Sequence, residues 1–131
     1  MNATEVVKAF YESDLANSTE VIDLCFSRNC KIHWHGSNGF STINYDGFKA
    51  LFEEIKRAYQ TLRFEISHFL QDGNRVVVRY TSYVTTIENP NEEQALAHFF
   101  AIWKVSNGKI IEGHQMSQLA DNSSESLNSF S

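Results

Sequence analysis

The stretch Leu62-Arg63-Phe64-Glu65-Ile66-Ser67-His68-Phe69-Leu70-Gln71-Asp72-Gly73-Asn74-Arg75-Val76-Val77-Val78 holds the change of period that decides the fold. Before it, Phe48, Leu51, Phe52, Ile55, Tyr59 and Leu62 recur at the i, i+3/i+4 spacing of one helical face, behind Asp46 as N-cap. After Leu62 the period drops to 2, the spacing of a strand. A strand over residues 63–70 runs into Asp72-Gly73, a hairpin signal because a type I′ turn needs positive φ at both central residues. Residues 75–88 continue as a second strand, stopped by Asn89-Pro90-Asn91. Residues 94–105 form a third strand, Asn107-Gly108 a second hairpin turn, and residues 109–119 a fourth strand.

Upstream, Asn2 and Glu5 have the spacing of a capping box, followed by an apolar helical stripe of Val6, Val7, Phe10 and Tyr11. Asn17-Ser18 restarts the pattern with Glu20 placed to cap back. A short second helix then carries Val21, Ile22, Leu24, Cys25 and Phe26. Residues 30–35 read as a short strand bounded by Gly36-Ser37-Asn38-Gly39, and from residue 121 the chain is Ser/Asn-rich and reads as a fraying tail. The expected organisation is one domain over residues 1–120 and a tail over 121–131. Its order is helix, helix, strand, long helix, then a four-strand antiparallel meander. That is an α+β fold, without the parallel βαβ units of dinucleotide-binding folds.

Composition bounds the function. A chain of 131 residues with 42% hydrophobic and 21% charged residues can bury a core without a disulfide or metal staple. Eleven basic against sixteen acidic residues give a net charge of -5, which argues against nucleic acid or an anionic membrane as main partner. No apolar run approaches the ~18 residues of a membrane span. The first residues lack the basic-then-apolar order of a signal peptide. Cys25 and Cys30 read as inert free thiols of a reducing, cytoplasmic setting. Aromatic residues make up 13%, with 10 Phe and 5 Tyr, and call for a large core, an apolar cavity or a buried interface.

The element order, together with the final hairpin Ala101-Ile102-Trp103-Lys104-Val105-Ser106-Asn107-Gly108-Lys109-Ile110-Ile111-Glu112, resembles the nuclear transport factor 2-like superfamily. That group includes ketosteroid isomerases, scytalone dehydratase and SnoaL-type polyketide cyclases. The hairpin is similar to the turn-Gly-Lys/Arg-Ile-x-Glu end of SnoaL-like domains, and the likeness spans residues 3–119. It implies a cone-shaped α+β barrel, helices packed on a curved antiparallel sheet, around a pocket.

Counting outward from Asn107-Gly108 pairs Trp103 with Glu112 and Ala101 with His114. One face then holds His98, Phe100, Ile102, Gly113, Gln115 and Ser117, and the other Phe99, Ala101, Trp103, Glu112, His114 and Met116; a one-residue bulge would exchange the lists. The resemblance implies that the His98/Phe100/Gln115 face lines the pocket, with Arg79, Thr81 and Tyr83 from the preceding strand and Trp34 near it. Phe99, Trp103 and Met116 would then form an outer row, covered in a homodimer.

The resemblance also says what chemistry to look for. The carboxylate base of ketosteroid isomerases would fall near Trp34, and no Asp or Glu lies between Lys31 and Tyr45. Their oxyanion Tyr falls on Phe10, beside Tyr11, and their second oxyanion acid on Phe100; the acid of SnoaL-type cyclases falls on Gln115. Those sets are therefore incomplete, and the isomerase reaction is not expected. His98 is the candidate general base, its alternative a satisfied core or cavity histidine. Arg79 is a candidate clamp for a carbonyl or carboxylate, or else a cross-strand partner of Glu65. Trp34, Tyr83, Phe100 and Gln115 complete the candidate binding set. His68 reads as structural or rim, and His114 as interface or surface. His33 and His35 form an H-x-H, but no Glu follows at residues 37–39 as a cupin-type site would need, so neither a metal nor another cofactor is expected.

Three functions remain: a small-molecule binding protein for an apolar or carbonyl-containing ligand; a lyase, isomerase or cyclase with His98 as base; and a dimerisation or interaction module with a filled pocket.

Overall fold

The computed structural model describes residues 2–131. Its elements are α1 (Ala3–Glu12), α2 (Glu20–Cys25), β1 (Phe26–Gly36), β2 (Gly39–Asn44), α3 (Tyr45–Ala58), β3 (Tyr59–Asp72), β4 (Arg75–Thr86), β5 (Glu93–Ser106), β6 (Lys109–Leu119) and α4 (Ser124–Ser129). The six strands form one curved sheet in the order β2-β1-β6-β5-β4-β3. β3 to β6 are the expected antiparallel meander, and β1 lies parallel to β6. The fold is α+β, with α1 and α3 closing the concave side of the sheet and α4 lying against its outer face.

Local chemistry explains most boundaries. Asn2 caps α1 through a capping box: the Glu5 N–H donates to Asn2 Oδ1 at 2.8 Å and the Asn2 N–H to Glu5 Oε1 at 3.4 Å. α3 is capped by Asn44 rather than Asp46, its side chain accepting from the Gly47 N–H at 2.9 Å. α3 also ends at Ala58, four residues before the apolar spacing does, because Tyr59 and Leu62 place their side chains on the core from an extended β3. β2 is largely exposed and has no alternating pattern, so it was invisible in the sequence. Residues 124–129, expected to fray, form the short helix α4, capped by Ser123.

The core is aromatic and centred on Trp103. Its indole packs edge-on against Phe10 and Phe26 at centroid distances of 6.1 and 5.7 Å. Its Nε1–H donates to the Tyr11 hydroxyl at 2.8 Å. Burial, above all, pushes the Tyr11 and Tyr80 phenols well above their ordinary value and keeps them neutral.

Register corrects the faces expected for β5 and β4. Val105 pairs with Ile110 but Lys104 pairs with Glu112, so Ile111 is a one-residue bulge on β6. Trp103 therefore opposes Gly113, not Glu112, and Phe99, Ala101 and Trp103 face inward while His98, Phe100 and Ile102 face outward. On β6 the expected faces stand, with Gln115 buried and Met116 exposed. The first hairpin turns at Gly73-Asn74, one residue later than expected, with Asp72 opposite Arg75. Only Gly73 (φ 62°) takes positive φ there, which suits the first central position of a type II′ turn. Val76, Val78, Tyr80 and Ser82 of β4 are inward, and Arg79 and Tyr83 lie on the opposite face.

Candidate functional site

Between α1, α3 and the concave face lies a cavity of about 560 Å³. α1 contributes Phe10 and α3 contributes Phe48, Leu51, Phe52 and Ile55, so the helical stripe seen in the sequence is also the roof of the cavity. Tyr59, Leu62, Phe64, Tyr80, Leu96, Phe99 and Trp103 form the walls and floor, and residues 36–41 stand at one side.

The polar groups are few and neutral. Trp34 Nε1–H donates to Ser117 Oγ at 2.8 Å, and the Ser82 hydroxyl donates to the Ala97 carbonyl at 3.3 Å. Gln115 is buried and lines the cavity, and among the described residues no side chain holds its amide. The lining contains no Asp, Glu, His, Lys or Arg. The site can therefore enclose an apolar body and meet one or two of its polar atoms with an amide and hydroxyls.

Of the residues singled out from sequence, Trp34 and Gln115 are at this cavity. His98, Arg79, Tyr83 and Phe100 are not, because the alternation of β4 and the bulge in β6 put them on the outer face. There they form a separate polar-aromatic cluster with the C-terminal segment. His98 Nδ1 lies 2.7 Å from Thr81 Oγ1, and its ring packs on Phe130 at 4.5 Å. His98 Nε2 is buried without a partner among the described residues. Burial lowers the imidazole pKa against the raising effect of Asp121, and Arg79 lowers it further. Arg79 lies 3.8 Å over the Phe130 ring and donates to Ser67 Oγ (2.8 Å) and to the carbonyls of Phe130 (3.1 Å) and Ser129 (3.2 Å). Two of these bonds hold the C-terminal segment and the third holds Ser67. Tyr83 packs under Arg63, 4.3 Å from ring centre to guanidinium.

The outer-row residues change likewise. Phe99 and Trp103 belong to the cavity and core, and the exposed apolar side chains of this face include Phe100 (53%), Ile102 (42%) and Met116 (62%), with Phe40 (58%) from β2 and Leu70 (58%) from β3. Cys25 and Cys30 are free and buried, and desolvation raises both thiol pKa values, consistent with inert side chains. The cavity residues missed from sequence are mainly Ser82, Phe99 and Trp103, which parity had placed elsewhere or left unassigned.

The sequence matches the SnoaL-like domain family over residues 6–113, and the chain belongs to that family. No curated protein matches the sequence. Solved structures that share the fold include IdmH from Streptomyces antibioticus, proposed to be a polyketide cyclase, at 15% identity and a TM-score of 0.72 over 89% of this chain and 92% of that one. An NTF2-like protein of unknown function from Burkholderia pseudomallei is similar at 19% identity and a TM-score of 0.61, over 88% and 90% of the two chains. A protein with a ketosteroid isomerase-like fold from Catenulispora acidiphila, crystallised with trimethylamine, is similar at 14% identity and a TM-score of 0.64, over 97% and 92%. At these identities the likeness is one of fold. No helix among the described residues is long and apolar enough to cross a membrane.

Proposed function

We propose that this SnoaL-like chain binds an uncharged, largely apolar, ring-bearing small molecule in the cavity beneath α1 and α3. One observation carries the reading: a 560 Å³ space walled by aromatic and aliphatic side chains, with no carboxylate, imidazole, amine or guanidinium in its lining. That volume lies within the roughly 300–1,000 Å³ of small-molecule sites. A charged ligand would lose its hydration there without gaining a counter-charge. A carbonyl or hydroxyl is accommodated, because the Gln115 amide can donate or accept. The enzyme reading based on His98 loses its base to the outer face, and the filled-pocket reading does not suit an open cavity of this size.

The test is thermal unfolding with a panel of neutral polycyclic ketones and their charged analogues. A ligand that binds only the folded chain stabilises it by about 2.7 kcal/mol at a hundredfold excess over its Kd. Neutral ketones should raise the melting temperature saturably, and Ala97→Phe, which projects a ring into the cavity and narrows it, should reduce that rise while keeping the protein folded. Stabilisation by charged analogues alone, or an equal rise in Ala97→Phe, would overturn the proposal.

We further infer that a second copy covers the outer face. Phe40, Phe100, Ile102 and Met116 are exposed together, and soluble monomers seldom leave such a patch in water. A two-fold pairing is the commonest closed way to cover such a patch.

A further inference from the structure

We propose that His33, Glu112 and His114 form a binding site for a divalent transition-metal ion, zinc by the chemistry of the ligands, on the outer face of the sheet. The parallel pairing of β1 and β6 sets His33 directly opposite His114. Glu112, two residues before His114 on the same strand, shares its face. The ligand atoms of the three side chains lie within 4.8 Å of one another.

The arrangement is specific. Glu112 places one carboxylate oxygen 3.0 Å from His33 Nε2 and the other 3.9 Å from His114 Nε2. The two imidazoles stack with centroids 4.7 Å apart and planes 26° from parallel, so their rings stand side by side over the sheet. A tetrahedral ion with bonds of 2.0–2.1 Å needs ligand atoms roughly 3.3 Å apart, which the two nitrogen–oxygen distances bracket. The side chains of His33, Glu112 and His114 are 26%, 41% and 59% exposed, which leaves them room to rotate toward a shared ion. The other nitrogen of His33, Nδ1, lies 3.4 Å from Thr42 Oγ1 on β2. With the metal on Nε2, Nδ1 carries the proton and donates to that hydroxyl, as ligating histidines usually do to an outer partner.

Ligand type selects the ion. Two imidazoles and one carboxylate suit zinc, whereas calcium and magnesium prefer all-oxygen sets. Three protein ligands leave a position for water or another donor. The H-x-H of His33 and His35 does not supply this set. His35 lies against Phe40, with centroids 4.5 Å apart, and the carboxylate comes from a strand 79 residues away in sequence.

The experiment is calorimetric titration of zinc chloride into the chelator-stripped chain, with metal content by mass spectrometry. All three ligands come from one chain, so one zinc per chain is expected in any assembly state. His33→Ala, His114→Ala and Glu112→Gln should each weaken binding by about tenfold or more. His35→Ala and His68→Ala should leave it unchanged. All five variants are at the sheet surface, and an unchanged melting temperature of the stripped protein verifies their folding. Absence of saturable binding, or binding indifferent to the three substitutions, would leave His33–Glu112 a simple surface hydrogen bond and overturn the proposal.

Discussion

Gly113→Ala tests the register on which both the core and the cavity depend. A Cβ added at Gly113 would sit 2.4 Å from Trp103 Cζ3 and 2.6 Å from Cε3, because the indole of β5 lies flat over the glycine opposite it. Ordinary contact begins near 3.4 Å, so the ring must move by about 1 Å. It has nowhere to go at low cost. Phe10, Phe26 and Phe48 surround it, and the same movement stretches its 2.8 Å hydrogen bond to Tyr11 past bonding distance. Overpacking of this kind costs roughly 1–3 kcal/mol, and the lost hydrogen bond about 1 kcal/mol. The lower entropy of the unfolded alanine chain offsets about 0.4–1 kcal/mol. The net is a destabilisation of about 2 kcal/mol, or a melting temperature lower by about 6–10 °C for a domain of this size. Thermal unfolding followed by near-ultraviolet circular dichroism measures it, with Gly36→Ala as control, whose Cβ meets nothing closer than 3.4 Å. Trp103→Phe in the Gly113→Ala background should recover part of the loss, a non-additivity that locates the clash. An unchanged or higher melting temperature for Gly113→Ala would show that Trp103 does not cover this glycine and that the bulge at Ile111 is misplaced.

Two further outcomes follow from the outer face. Burial lowers the His98 pKa in the folded chain, so folding binds fewer protons there than the unfolded chain does, whose value lies near 6.5; stability present above that pH should fall as the pH drops through the folded value. Melting curves between pH 7.5 and pH 5.5 should show this loss, His98→Gln should reduce it, and an identical pH profile in the variant would refute the assignment. Light scattering should give twice the chain mass, and Ile102→Glu with Met116→Glu should give a folded monomer; a monomeric parent protein would refute the covered face.

The order of α1, α2, β1, α3 and the four-strand meander, with the meander's two tight hairpins, was legible in the sequence because each is a local signal, whereas β2 and α4 were not. Helical spacing in α1 and α3, the capping box at Asn2 and the Gly-containing turns involve residues a few positions apart. Faces were legible only where the two sides of a strand differ in polarity. On β4, Arg75 and Arg79 share one side and Val76, Val78 and Tyr80 the other, and that contrast marks the buried side correctly. The pocket face that the family resemblance implies at Arg79 runs against this contrast. On β5 both sides are apolar, with Phe99 and Trp103 on one and Phe100 and Ile102 on the other, so alternation has no sign. The tie is broken by Ile111, a single unpaired residue without a sequence mark of its own. The His33–Glu112–His114 cluster was beyond local reading for a different reason: it needs β1 to insert beside β6, a pairing that no turn encodes.

The bulge therefore decides chemistry as well as packing. With β6 paired residue for residue from its turn, His98 would face the cavity, the site would hold an imidazole, and acid–base catalysis would have a candidate. One extra residue sends His98 and Phe100 outward and brings Phe99 and Trp103 in. The displaced groups are not idle. His98 is held by Thr81 and Phe130, and Arg79 binds the carbonyls of Ser129 and Phe130. The polar side chains that could have served a reaction instead anchor the C-terminus to the back of the sheet. What remains inside is an aromatic chamber whose most versatile polar group is the Gln115 amide, a hydrogen-bonding group that does not take up or release protons near neutral pH. Selectivity in such a chamber comes from shape and from one or two hydrogen bonds. That is why the Ala97→Phe test, which removes only space, discriminates more sharply than any substitution of a polar residue.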